Sequence, residues 1–171
     1  MTSPTTALPD AEALCQQLSS DIKHFISEKN LQHPLLIGIR TGGAWLAQRL
    51  QKELELPELG ILDISFYRDD FDERGLAPQA KGSELPDSIE DRAIILVDDV
   101  LMSGRTIRAA MNEIFDYGRP TSIHLVSLLD IGQRQLPIQA DLIGATVALE
   151  PGQKIKLSGP EPLTFSLEKN T

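Results

Sequence analysis

Apolar residues recur at every third or fourth position from Asp10 to about Lys29, at Ala11, Leu14, Cys15, Leu18, Ile22, Phe25 and Ile26. That spacing predicts an amphipathic helix with Asp10 as its N-cap. A short apolar run, PLLIGIR at 34–40, leads into RTGG and then a second helical pattern with Leu46, Ala47, Leu50 and Leu54 on one face. LGILDISFY, 59–67, reads as a strand. Residues 68–91 are polar and rich in Asp, Glu, Gly and Pro, and a loop of that length is expected to be functional, disordered or hiding a hairpin. AIILVDD, 93–99, reads as a central strand, because an unbroken apolar run suits a sheet covered on both faces. Helical spacing resumes at Ile107, Ala110, Met111, Ile114 and Phe115 and stops at Gly118 and Pro120. TSIHLVSLLD, 121–130, is the next strand; DLIGATVAL and KIKLSG are shorter ones, and the last few residues are expected to fray.

Strands alternating with helical patterns predict an α/β fold with a mainly parallel central sheet flanked by helices. Ligands of such sheets bind beyond the carboxyl ends of the strands. Three polar features fall there: RTGG after the first strand, DDVLMSGRT after the third and DIGQRQ after the fourth. The chain shows no repeat, low-complexity tract or linker, so residues 1–171 read as a single domain.

Composition narrows the picture. Hydrophobic content of 41% and charged content of 24% suit a soluble globular protein, and no apolar run approaches the ~20 residues of a membrane span. The N-terminus, MTSPTTALPD, has neither a basic start nor an apolar stretch, so the cytoplasm is expected. Cys15 is the lone cysteine and is expected to be a small core residue. With three histidines and one cysteine, a dedicated transition-metal cage is not expected. A net charge of −9 argues against an overall basic nucleic-acid footprint.

The chemistry concentrates at 98–106. Ser103, Gly104, Arg105 and Thr106 stand where a loop meets a helix, and the unpaired N–H groups there favour an anion. Gly104 permits close backbone approach, the two hydroxyls donate, and Arg105 adds charge or holds the loop. Asp98 and Asp99 precede this cradle. Two carboxylates at the end of an apolar strand are costly without a partner, and the vicinal hydroxyls of a ribose would supply one. Negative charge beneath the ring would also stabilise an oxocarbenium-like transition state. Together the two ends span about one ribose 5-phosphate. A receiver-type magnesium site is the competing reading, but its acids follow the first strand and it needs a lysine after the last. There is no Walker A loop, and Gly38, Gly42 and Gly43 do not form a dinucleotide fingerprint.

ILVDDVLMSGRTIRAA resembles the phosphoribosyl pyrophosphate motif of type I phosphoribosyltransferases. DISFYRDD (63–70), VDDVLMSGRT (97–106), GRPTSIHL (118–125) and LPIQADLIG (136–144) resemble the PyrR family more closely, over roughly residues 10 to 150. The resemblance implies a type I phosphoribosyltransferase fold with a small hood, from about 130–171 plus the N-terminal helix region, and a flexible flap at about 68–91. It implies that Asp98 and Asp99 hold the ribose hydroxyls as the catalytic pair. Val100, Leu101, Met102, Ser103, Gly104, Arg105 and Thr106 would then complete the phosphoribosyl pyrophosphate site. Arg40, Thr41, Gly42 and Gly43 fall where the pyrophosphate loop lies, Tyr67 and Arg68 at the flap base, and Asp130, Ile131 and Arg134 at the base pocket or hood. The implied reaction is uracil plus phosphoribosyl pyrophosphate giving UMP and pyrophosphate, with Mg2+ held mainly by substrate oxygens and water. UMP or UTP as ligands, and a homodimer or homotetramer, are implied by the resemblance alone.

The sequence departs from that family at three places. Gly42 stands where the pyrophosphate loop usually has arginine, removing a charge-assisted contact worth on the order of 1–3 kcal/mol, with Arg40 nearby as a compensating cation. Met102 replaces a usual tyrosine. Ile131, Gln133 and Gln139 replace basic residues, leaving Arg134, while the first helix carries only Lys23, His24 and Lys29. Lost phosphate contacts weaken RNA binding, so the family's RNA-binding surface is not expected to survive. Gly42 also motivates an alternative reading: a catalytically weak nucleotide-sensing regulator of pyrimidine genes, with or without RNA binding.

Overall fold

The structure, a computed structural model, describes residues 7–65 and 82–169. Helix α1 spans Ala11–Glu28 and its cap is as expected, the Asp10 carboxylate accepting from the Ala13 N–H. Strand β1 (Leu35–Ile39), helix α2 (Gly42–Glu53), β2 (Leu59–Leu62), β3 (Ala93–Leu101), α3 (Arg105–Tyr117), β4 (Ser122–Asp130) and β5 (Leu142–Thr146) follow. The strands form one sheet in the order β2-β1-β3-β4-β5, and every neighbouring pair is parallel. β3 is therefore central, as its unbroken apolar run predicts.

Period-2 alternation divides the core between two layers. Leu36, Ile95, Val97, Val126 and Leu128 point to the face covered by α1 and α2, where they meet Leu18, Ile22, Leu46 and Leu50. Leu35, Ile37, Ile94, Leu96 and Leu125 point to the face covered by α3 and meet Ile107, Ala110 and Ile114. Cys15 is fully buried in the first layer, and burial, reinforced by the Glu53 charge, pushes its thiol up to about 11.

Four expectations need correcting. The strand expected over 59–67 ends at Leu62, because Asp63 turns its carboxylate to the Ser65 N–H. Within the expected flap, residues 82–91 pack against the body. Glu84 forms an antiparallel bridge with Ile61, Ser83 bonds the Asp63 N–H and Glu113, and Ile89 is buried. The rest of that stretch, 68–81, lies outside the described residues. Phe115 is not core but 58% exposed at the outer edge of α3. As far as Lys169 the tail is strand rather than frayed: β6 (Gln153–Ser158) and β7 (Thr164–Lys169) form an antiparallel hairpin.

Within the span expected for the hood, β5 is an edge strand of the main sheet, and α1 lies on the main core. The β6–β7 hairpin is the separate piece. Its buried Leu157 and Leu163 join the α1–α2 layer. Glu12 ties it down from α1, accepting from the Leu163 N–H at 2.7 Å and pairing with Arg49 of α2, which also reaches the Pro160 carbonyl. The Arg49 guanidinium, then the Leu163 N–H, hold the Glu12 carboxyl below the usual range.

Candidate active site

The three polar features converge at the carboxyl ends of β1, β3 and β4. Asp98 lies opposite Ser127 of β4 and is 6% exposed; Asp99 is half-buried. Each carboxylate accepts the next backbone N–H at 2.9 Å, Asp98 from Asp99 and Asp99 from Val100. Both carboxylates are thus held by backbone at the end of their own strand.

The chain then turns into α3. Gly104 stands just before its first residue with φ +93°, a left-handed conformation that suits glycine, and a Cβ there would meet the side chain of Ile138 at 3.0 Å. Ser103 Oγ accepts from the Arg105 N–H at 3.1 Å. Thr106 is exposed in the first helical turn, where backbone N–H groups have no intrahelical acceptor and face an incoming anion. Arg105 holds the loop: its Nε donates to Gln135 Oε1 at 2.8 Å. Within the motif, Leu101 is buried in the α3 layer and Val100 packs beside Leu129 and Val147, so these two offer ligands their backbone only. Met102 is 43% exposed.

Asp130, Ile131 and Arg134 form a structural unit. Arg134 donates to both carboxylate oxygens of Asp130, at 3.0 and 2.6 Å, to the Ile138 carbonyl at 2.7 Å and to the Met102 carbonyl at 2.8 Å. The Ser103 carbonyl accepts from the Gln135 and Leu136 N–H groups, and the Ile131 N–H donates to Leu101. The segment after β4 is thereby laced to the phosphate loop, and Arg134 is a staple inside it. The Arg134 guanidinium holds the Asp130 carboxyl below the usual carboxylate range, against the opposing effect of burial. Gln135, Leu136 and Ile138 complete this lacing, although nothing in their spacing from the acid pair signals it.

On the other side, RTGG opens α2. Thr41 occupies the cap position without a side-chain cap, leaving the first N–H groups of α2 toward the site. Gly42 and Gly43 are buried. The Asp99 carboxylate stands against Gly42: a Cβ built at that glycine would lie 2.2 Å from Asp99 Oδ2. Arg40 is turned toward the segment returning to the sheet, 3.4 Å from the Gly82 carbonyl and 3.8 Å from Glu84, and its buried Nε has no hydrogen-bond partner among the described residues. Tyr67 and Arg68 lie outside the described residues.

Comparison with known proteins supplies the family and the fold. Residues 7–150 match the family model of the phosphoribosyl transferase domain. The chain is 53% identical over 163 residues to the bifunctional protein PyrR of Pseudomonas syringae pv. syringae (strain B728a), covering 95% of this chain and 96% of that one. To the bifunctional protein PyrR of Pseudomonas aeruginosa (strain LESB58) it is 51% identical over 160 residues, covering 93% and 94%. Among solved structures, a hypoxanthine phosphoribosyltransferase from Staphylococcus aureus superposes with a TM-score of 0.64 over 86% of this chain and 80% of that one, at 22% identity, which establishes the shared fold.

Proposed function

The chain belongs to the phosphoribosyl transferase domain family and, within it, to the bifunctional PyrR proteins, and from that premise we propose that it is a uracil phosphoribosyltransferase. The observation that carries the reading is one continuous segment, Asp98–Thr106, with two fixed carboxylates at one end and a helix-start anion cradle at the other. The 5-phosphate is received by the backbone and hydroxyls of 103–106. The ribose hydroxyls donate to Asp98 and Asp99, whose charge stabilises the positive character that develops at the anomeric carbon. Pyrophosphate leaves toward the first turn of α2 and the 40–43 loop. A uracil ring nitrogen forms the new bond to the anomeric carbon as the carbon–oxygen bond to pyrophosphate breaks, and the nitrogen's proton passes to water.

Magnesium fits this donor set, since carboxylate oxygens are hard ligands. When bound with the substrate it neutralises charge on the departing pyrophosphate. Substrate oxygens and water would hold it in the main, with Asp98 and Asp99 as the oxygen donors of the chain at the ribose. The alternative of a weakened regulator rested on Gly42; the similarity to bifunctional PyrR proteins over most of the chain supports the main reading instead.

A steady-state assay across uracil, orotate, hypoxanthine and xanthine tests the reading. UMP formation from uracil, dependent on magnesium, is expected, and Asp99→Asn should lower kcat by roughly 100-fold or more, the scale of losing a pre-organised charge. No turnover of uracil by the wild type would overturn it.

A further inference from the structure

Two adjacent rows of side chains run along one flank of α3. Ile107, Met111 and Phe115 follow one another at four-residue spacing, and Arg108, Asn112 and Asp116 form the row beside them. The first row begins in a pocket of about 180 Å³ where α3 meets β4 and the segment after it, lined chiefly by Ile107, Met111, Ile123, Leu125, Pro137 and Ile138. It ends on Phe115, a large apolar side chain left 58% exposed. The second row is exposed throughout, and among the described residues neither Arg108 nor Asp116 has an ion-pair partner in its own chain.

We propose that this flank is an interface between two copies of the chain, packed with their α3 helices antiparallel about a two-fold axis at Asn112. A two-fold contact needs a surface that complements itself, and the spacing of the two rows supplies one. Arg108 and Asp116 each stand four residues from Asn112, about 6 Å along the helix on either side of it. Each Arg108 therefore meets the Asp116 of the other copy, twice in one dimer. Phe115 stands three residues beyond Asn112, and the midpoint between the pocket residues Ile107 and Met111 lies three residues before it. The same axis thus sets each Phe115 level with the other copy's pocket. A cavity of about 150 Å³ accepts benzene, so this pocket is of a size for a phenyl ring. An unrelated protein would have to bring a ring and both charges in this order; a second copy already has them. The net charge of −9 repels like chains at a distance, and the opposite charges of this row offset that repulsion at contact.

The test is sedimentation of the full chain over a range of concentrations, for wild type, Phe115→Glu, Arg108→Asp, Asp116→Arg and an equal mixture of the last two. Wild type should associate, and Phe115→Glu should raise the dissociation constant by roughly 30-fold or more, the scale of losing a central aromatic anchor. Arg108→Asp and Asp116→Arg each set like charges opposite one another across the axis, and each should weaken association by at least roughly 10-fold. In the mixture each variant meets opposite charges on the other, so association should return to within about threefold of wild type. The substituted positions are exposed and outside the candidate active site, and matched circular dichroism would show each fold intact. Should Phe115→Glu fail to fold, the mixture still decides. A wild type that stays monomeric would overturn the proposal and leave the face to a different protein. An oligomer whose dissociation constant ignores all three substitutions would overturn it in favour of another face. A mixture that associates no more tightly than its two components would overturn it as well.

Discussion

Asp130 and Arg134 illustrate how one residue's environment decides its part. An arginine after the fourth strand reads from sequence as a surface cation or a base-pocket group. All three of its guanidinium nitrogens are in fact engaged, with Asp130, Met102 and Ile138. Because the Asp130 carboxyl is held below its ordinary value of about 3.9, it contributes stability that is present above that pH and lost as pH falls through the lowered folded value. Thermal unfolding of wild type and Asp130→Asn should therefore differ most near neutrality, and the gap should close as pH drops into the acid range. At this scale the acid pair and the anion cradle were legible because they are contiguous. The bonds from Arg105 to Gln135 and from Arg134 to Met102, and the packing of Gly42 on Asp99, were not. Those partners are 30, 32 and about 57 positions apart, and local pattern says nothing about separations of that size.

At the scale of elements, the helices and the parallel strands followed from their periods, 3.6 for amphipathic helices and unbroken runs for buried strands. β7 was missed although Leu163, Phe165 and Leu167 alternate as a strand should. The prolines at 160 and 162 and the nearness of the chain end masked that short signal. Phe115 was misjudged for a different reason: it stands next to Ile114, which takes the buried place in the last turn of α3 and leaves Phe115 turned outward. The hairpin's attachment can be measured. Glu12→Ala leaves the buried Leu163 N–H without its acceptor and Arg49 without its partner, so it should lower stability by about 1–3 kcal/mol in urea unfolding. Because α1 and the hairpin lie away from the phosphate loop, the KM for phosphoribosyl pyrophosphate should stay within about twofold of wild type.

For the whole molecule, charge separates two roles that the fold alone does not. The proposed acid pair and anion cradle lie together, yet the chain carries a net charge of −9, with neutral, exposed Gln133 and Gln139 flanking the inward-turned Arg134. A filter-binding titration with pyrimidine leader RNA should accordingly show no specific binding at moderate salt; tight binding with a steep salt slope would contradict this. Among the described residues no helix is long and apolar enough to cross a membrane. The interior holds one further consequence for anyone wishing to watch this enzyme work. Cys15 is sealed in the core with its thiol held protonated, and it is the lone cysteine of the chain. Native protein at pH 8 should leave a thiol reagent unconsumed, and unfolded protein should consume one equivalent. A cysteine introduced anywhere on the surface would then be the one labelled position. Fluorescent reporters of distance could thus be attached to the wild-type background without first removing a native residue.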